Sequence, residues 1–284
     1  MREESTATEH AGRKPGGTQR VPLESLAPLI LLLMPFAALH AQTEFAAASV
    51  LDQQLDTRRV VSPNGQMEFR IFVGQPHGAL WSRLGFQMSY RDRPVLATSW
   101  IGLDFRDQEP YLGENPGLMS SESGSNPAQH YNYLIAHYMQ NGTLGRQIDV
   151  EARAYDDGIA FRYFIPRTNP VADFYLRDEA TQFNFAHPQV LDHLPKQPDF
   201  DLPFVVEEPG VGWVAIESPE SAKFPPTYLI RSGDGMLTNL PRSKSDPTVA
   251  FTGKTPLAWI WRVVLVGRDK ENVLASDIPK SLDR

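Results

Sequence analysis

The stretch Gln147-Ile148-Asp149-Val150-Glu151-Ala152-Arg153-Ala154-Tyr155-Asp156-Asp157-Gly158-Ile159-Ala160-Phe161-Arg162-Tyr163-Phe164-Ile165 decides the fold. Its first half places Ile148, Val150, Ala152 and Ala154 at every second position, and its second half does the same with Ile159, Phe161, Tyr163 and Ile165. Period two is the mark of a strand that turns alternate side chains into a core. Asp156-Asp157-Gly158 between the halves is a turn signal, so the segment predicts a β-hairpin. Gly158 is expected at a positive φ, where glycine carries no steric penalty.

The same grammar extends in both directions. Met67, Phe69, Ile71 and Val73 share one face of a strand that follows the turn signal Ser62-Pro63-Asn64-Gly65. A second hairpin is expected over Tyr228 to Leu240, around Gly233-Asp234-Gly235. Leu257 to Val266 reads as a final strand buried on both faces, with Trp259 and Trp261 on one side and Ile260, Val264 and Val266 on the other. Asp107 to His130 is rich in Gly, Pro, Ser, Asn and Glu without periodicity, and reads as a long surface loop. The tail Glu271 to Leu282 reads as a short helix or an exit linker, and Pro279 favours the linker. Many short alternating segments between turn residues predict an all-β sandwich or barrel.

Composition narrows the partners. The chain has 284 residues with 27 Lys and Arg against 34 Asp and Glu, a net charge of -7, so it lacks the basic footprint that phosphate neutralisation requires. No nucleic acid partner is expected. There are no cysteines, which excludes disulfides, thiolate metal sites and a cysteine nucleophile. Arg13, Lys14 and Arg20 precede the apolar run Leu26 to Leu39 and the small residue Ala41, the pattern of a secretory signal peptide. The run is shorter than the roughly 20 residues of a membrane-spanning helix. The expected organisation is a signal peptide over residues 1–41, a linker over 42–59 and one domain over 60–284. This corresponds to an exported protein of the bacterial periplasm or extracellular space, with no membrane span after cleavage.

Motifs of catalysis are sparse. No G-x-S-x-G elbow, H-E-x-x-H pair, G-x-G-x-x-G fingerprint or phosphate loop occurs. The histidines after the leader are His77, His130, His137, His187 and His193, and the spacing of none suggests a metal site. Carboxylates work in pairs in glycosidic hydrolysis. The adjacent pairs here read as a hairpin turn at Asp156-Asp157 and a solvated loop at Glu207-Glu208, before Pro209-Gly210. Trp81, Trp100, Trp213, Trp259 and Trp261 could stack on sugar rings, but for each one core packing is the simpler expectation.

Several of these stretches, taken in order, resemble the N-terminal domain of glycoside hydrolase family 97. The hairpin Arg153-Ala154-Tyr155-Asp156-Asp157-Gly158-Ile159-Ala160-Phe161-Arg162-Tyr163 followed by Pro166 is similar to that family's R-x-Y-D-D-G-V-A-F-R-Y. Ser62-Pro63-Asn64-Gly65, Tyr90 to Leu96 with Ser99 and Gly102-Leu103, and Tyr131-Asn132 precede it in the family's order. Asp178-Glu179-Ala180-Thr181-Gln182-Phe183 and Pro256 to Gly267 follow it.

The resemblance implies a β-supersandwich of the galactose-mutarotase-like type. In the family this domain stands ahead of a (β/α)8 barrel that hydrolyses α-glucosides or α-galactosides and carries the catalytic carboxylates. No catalytic or cofactor-binding residue is therefore expected in this chain, which ends at Arg284, where the family's barrel would begin. The family's N-terminal domain also supplies a glutamate to a calcium ion. Asp201, in Asp199-Phe200-Asp201, is the matching position, a calcium ligand only with a barrel partner. The expected function is a non-catalytic, carbohydrate-binding domain of a truncated or split family 97 protein, with carbohydrate and a barrel chain as partners. The alternative is the N-terminal part of a calcium-dependent α-glucosidase or α-galactosidase active only with a separately encoded barrel. A mutarotase-like activity of the sandwich itself would need a histidine and a carboxylate converging in one cleft.

Overall fold

Strict alternation puts one face of each strand against another sheet, and the computed structural model, which describes residues 54–142 and 145–282, is built almost wholly of antiparallel strands. In chain order they are β1 (Leu55–Val61), β2 (Met67–Gly74), β3 (Arg83–Tyr90), β4 (Arg93–Trp100), β5 (Leu103–Phe105), β6 (Pro116–Asn126), β7 (Tyr131–Gln140), β8 (Gln147–Tyr155) and β9 (Gly158–Ile165). There follow β10 (Asp173–Glu179), β11 (Gln182–Asn184), β12 (Phe204–Glu208), β13 (Gly212–Glu217), β14 (Tyr228–Ser232), β15 (Gly235–Asn239), β16 (Phe251–Lys254), β17 (Leu257–Ala258) and β18 (Arg262–Gly267).

The largest sheet has eight strands, running β12-β13-β18-β9-β8-β7-β6 with β17 also on β9. Opposite lie a four-stranded sheet β1-β2-β3-β4 and the smaller sheets β16-β10-β5 and β11-β15-β14. The layers meet on aromatic rings. Phe161 of β9 stands 5.6 Å from Phe69 of β2 and 5.0 Å from Phe86 of β3, measured between centroids. The fold is thus the expected all-β supersandwich, and Met67, Phe69, Ile71 and Val73 all enter its core. Ser62 Oγ accepts from the backbone N–H groups of Gln66 (3.1 Å) and Met67 (3.0 Å), which fixes the turn that aims them. Gly65 in that turn has φ +75°.

The signal peptide expected over 1–41 lies outside the described residues, as do residues 42–53 of the expected linker. The remainder of that linker is not linker: β1 starts at Leu55 and pairs with β2. Its sequence hides the strand because β1 is a sheet edge with exposed side chains until Val60. The expected loop Asp107 to His130 likewise contains the eleven-residue strand β6. β6 is the other open edge of the large sheet, and its middle is exposed on both faces, so nothing selects for apolar alternation.

The central hairpin forms as read, with Tyr155 opposite Gly158, but Gly158 is not among the residues with positive φ. Glycine is needed there for space. A Cβ would stand 2.8 Å from Leu265 Cδ2 and 2.9 Å from the Val264 carbonyl oxygen on β18. The Val264 backbone is pinned in its sheet, so a side chain must push strands apart. Gly158→Val is therefore expected to destabilise the fold by about 1–3 kcal/mol, the usual range for overpacking. Urea denaturation curves of the variant and the parent would reveal it, and coincident curves would refute the close approach.

The final strand is interrupted. Ala258 pairs with Phe164 but Arg262 with Phe161, so one extra residue is accommodated between them. Such a bulge reverses the alternation. Trp259 consequently packs in the inter-sheet core, whereas Trp261 joins a second cluster on the outer face of the large sheet. This corrects the expectation that the two share a side. Trp261 lies there between the guanidinium groups of Arg153 (4.5 Å) and Arg162 (4.3 Å), and Glu151 bridges both arginines. The tail covers this cluster with two short helices, Lys270–Leu274 and Ile278–Ser281, burying Val273, Ile278 and Leu282. Pro279 sits in the first turn of the second helix, where its missing N–H loses no hydrogen bond, so the tail is docked helix rather than exit linker.

Candidate functional site

Asp201 follows Phe200, whose backbone makes both hydrogen bonds of a bridge to Leu229 (2.8 and 2.9 Å) and whose ring is buried edge-on against Phe204. The next residue along is therefore held at the surface, and Asp201 is exposed on the rim of a cleft of about 320 Å³. The walls come from distant segments: Ser218 and Glu220 after β13, Phe224 and Tyr228 leading into β14, and Ile260 at the bulge between β17 and β18. Phe224 is fixed by Trp259, 4.8 Å away, and by Phe251, 5.4 Å away. Thr227 Oγ1, also on the lining, is buried without a hydrogen-bond partner among the described residues.

Behind the cleft stands a buried polar cluster. Ser218 Oγ donates to the Trp261 carbonyl (2.9 Å) and accepts from Arg262 Nη1 (2.9 Å). Arg262, in turn, forms a two-pronged ion pair with Glu179, Nε to Oε1 at 2.9 Å and Nη2 to Oε2. Trp259 Nε1 (2.6 Å) and Thr181 Oγ1 (2.6 Å) also donate to the Glu179 carboxylate. The two charged side chains are 0% and 1% exposed. The phenol of Tyr163 touches Thr181, and burial, followed by the charge of Glu179, raises its pKa well above the ordinary tyrosine value. These groups are saturated with partners and shielded from substrate. Their work is to lock β10, β17 and β18 and so hold the cleft's back wall. The one visible hint in the sequence was Arg262, a lone charge in an otherwise apolar final strand.

Two histidine–carboxylate pairs also form. His137 Nδ1 lies 2.9 Å from Asp149 Oδ1. His187 Nδ1 lies 2.6 Å from Glu208 Oε1, which also accepts the His187 backbone N–H at 3.0 Å. Burial raises both carboxyl pKa values against the opposing pull of the histidines. Glu208 is thus not part of a solvated loop. It is the last residue of β12, with a wholly buried side chain. Neither pair lines the Asp201 cleft, so the convergence that mutarotase-like chemistry needs is absent from that cleft. Among the described residues His187 and His193 join no group of three His, Asp or Glu side chains that could hold a metal. Asp156 and Asp157 serve the turn: Asp156 Oδ1 accepts from the Asn64 N–H (2.9 Å) and Asp157 Oδ2 from Ser276 (3.1 Å).

Calcium takes six to eight oxygen ligands. Among the described residues no three His, Asp or Glu side chains are grouped so as to hold a metal.

Comparison with known proteins adds the following. Residues 60–193 match the family model described as Glycosyl-hydrolase 97 N-terminal. A glycoside hydrolase family 97 enzyme from Pseudoalteromonas sp. strain K8, solved in complex with acarbose, aligns with a TM-score of 0.65 at 16% identity, over 78% of this chain and 37% of that chain. A variant of the same enzyme, in complex with panose, aligns equally well. A β-arabinopyranosidase structure gives a TM-score of 0.62 at 18% identity, over 75% of this chain and 40% of that one. At these identities the likeness is one of fold, and the chain spans well under half the length of the enzymes it matches.

Proposed function

Given that this chain belongs, through residues 60–193, to the glycosyl-hydrolase 97 N-terminal family, we propose that it is the non-catalytic, carbohydrate-associated module of a glycosidase, acting beside a (β/α)8 barrel. The observation that carries this reading is the fate of its carboxylates. A glycosidase needs one carboxyl group kept protonated in a shielded site and a second about 5–9.5 Å away across the scissile bond. Among the described residues the three buried carboxylates, Glu179, Glu208 and Asp149, are each bound to an internal partner, and Glu217, whose pKa burial raises, does not line the cleft. The two that reach the cleft, Asp201 and Glu220, are both exposed.

The cleft is suited to being half of a composite site. It has a fixed aromatic wall, an open carboxylate on the rim and a hydroxyl at Thr227 that lacks a hydrogen-bond partner among the described residues. A barrel, in a continuation of the polypeptide or in a separate chain, would bring the catalytic acid and base, and Asp201 would be the one ligand this module offers to a calcium ion held chiefly by the barrel. Export to the periplasm or beyond, where oligosaccharides are met, belongs to the same proposal.

Co-expression of this chain with the barrel of a family 97 enzyme as a second polypeptide tests it. The two are expected to copurify, with amide hydrogen exchange slowed at 199–203 and 218–228. A folded barrel that fails to associate, or that slows exchange elsewhere only, would overturn the assignment of this face.

A further inference from the structure

Trp81 is not core. It stands 49% exposed beside Leu80, itself 91% exposed, in the loop that joins β2 to β3. Leaving a large indole half in water forgoes much of its burial energy. The loop nevertheless holds it in a defined place: the Ala79 N–H donates to the Pro76 carbonyl (3.0 Å), and the Ser82 carbonyl accepts from the Asn115 N–H (2.7 Å). The ring borders a second cleft, of about 210 Å³, which shares no lining residue with the Asp201 cleft.

The other side of this cleft is rigid and polar. Arg146, 1% exposed, forms no ion pair with a carboxylate among the described residues. It donates through Nε to Gln140 Oε1 (2.8 Å), through Nη1 to the Gln108 carbonyl (2.7 Å) and through Nη2 to the Pro110 carbonyl. Gln140 Nε2 in turn donates to the carbonyls of Tyr111 and Glu114, each at 2.9 Å. Those bonds use up Gln140 and Arg146 and clamp the wall, which makes Arg146 a positioning residue.

What remains open to a ligand is a short row. The Asn141 side-chain amide has no hydrogen-bond partner among the described residues. Asn115 spends its Nδ2 on the Asn141 carbonyl (3.1 Å) and keeps its oxygen. Glu109 spends one oxygen on Arg177 (2.6 Å) and keeps the other. A flat apolar plate faces a donor and several acceptors, in a space that suits a single small ring. A pyranose has matching parts, an apolar C–H face and an edge of vicinal hydroxyls, and needs no charge of its own.

We propose that the Trp81 cleft is a second carbohydrate site, binding one neutral sugar ring with the indole under its apolar face and Glu109, Asn115 and Asn141 on its hydroxyls. The choice of a sugar rests on the carbohydrate reading above, whereas the site itself rests on this cleft alone. Maltotriose and α-1,6-galactobiose, titrated separately into the full chain and followed by saturation-transfer NMR and indole fluorescence, test it. At least one of the two is expected to bind, with affinity lowered about tenfold or more by Trp81→Ala and also reduced by Asn141→Ala, while Tyr175→Ala, at an exposed aromatic that lines neither cleft, leaves it unchanged. Because Trp81 is half exposed, the melting temperature of Trp81→Ala is expected to match that of the parent.

Binding that survives Trp81→Ala but is lost in Asp201→Asn would overturn this site and leave the carbohydrate reading standing. Absence of binding by both sugars would overturn the inference without touching barrel association, which is measured separately. A change in self-association on removing Trp81, with no sugar binding, would reassign the patch to protein contact.

Discussion

Glu179→Ala is expected to destabilise the fold by about 3–5 kcal/mol, the range for breaking a buried ion pair from one side. The arithmetic follows from what is left behind. Arg262 is 1% exposed and would retain only Ser218 as a partner, so a guanidinium charge would sit in the interior without compensation. Trp259 Nε1 and Thr181 Oγ1 would lose their acceptor at the same time, and each unsatisfied buried group adds to the cost. Glu179→Gln keeps an acceptor and removes the charge, so it should fall between. Replacing both partners together, as Glu179→Leu with Arg262→Met, should recover the part of the loss that comes from the stranded guanidinium charge, while Trp259 Nε1 and Thr181 Oγ1 still lack their acceptor. Urea denaturation of the parent and the three variants measures the series. A loss below about 1 kcal/mol for Glu179→Ala would mean that the pair is hydrated or unformed.

Phe161→Ala is the second large effect, again about 3–5 kcal/mol, as for other buried aromatic truncations. Phe161 is 0% exposed at the middle of the hairpin that heads the large sheet. Its ring touches Phe69 and Phe86 across the sandwich and is also near Phe183. Those neighbours belong to paired strands and cannot collapse into the space without shearing a sheet, so the cavity stays open. The same denaturation series measures it. If the layers did not meet at this ring, the change would resemble that of a surface residue.

Legibility followed burial. The hairpin of β8 and β9 was plain because one whole face is core, so alternation is strict in the chain. The hairpin of β14 and β15 is legible from its turn, Gly233-Asp234-Gly235, and Gly233 does have the positive φ, +57°, that a tight turn demands. The edges β1 and β6 were hidden because a strand solvated on both faces has no hydrophobic period to read. Gly158 was singled out rightly for the wrong cause, since crowding from another strand leaves no local trace that separates it from a turn requirement. Trp259 and Trp261 were assigned to one side because a bulge is a property of the pairing between strands.

The site was harder still. Asp201 came from a family resemblance, and the structure puts it on a cleft whose walls are drawn from four separated segments. Glu179 and Arg262 are 83 residues apart. Glu208 read as solvated beside Pro209-Gly210, and its burial emerges only when β12 pairs with β13. Trp81 read as core by residue type, but eight loop residues between β2 and β3 leave it facing outward. For Asp201, Glu179, Arg262 and Glu208 the deciding contact is long-range, and composition along the chain does not carry it.

The account turns on the internal engagement of the three buried carboxylates among the described residues, Asp149, Glu179 and Glu208, and hydrolysis measures that most directly. Purified protein, with and without added calcium, is given aryl α-glucosides and aryl α-galactosides, and release of the aryl group is followed. The account predicts no release above buffer in either condition. Turnover that copurifies with this chain alone, and that disappears in the Asp201→Asn variant while its fold is retained, would contradict it.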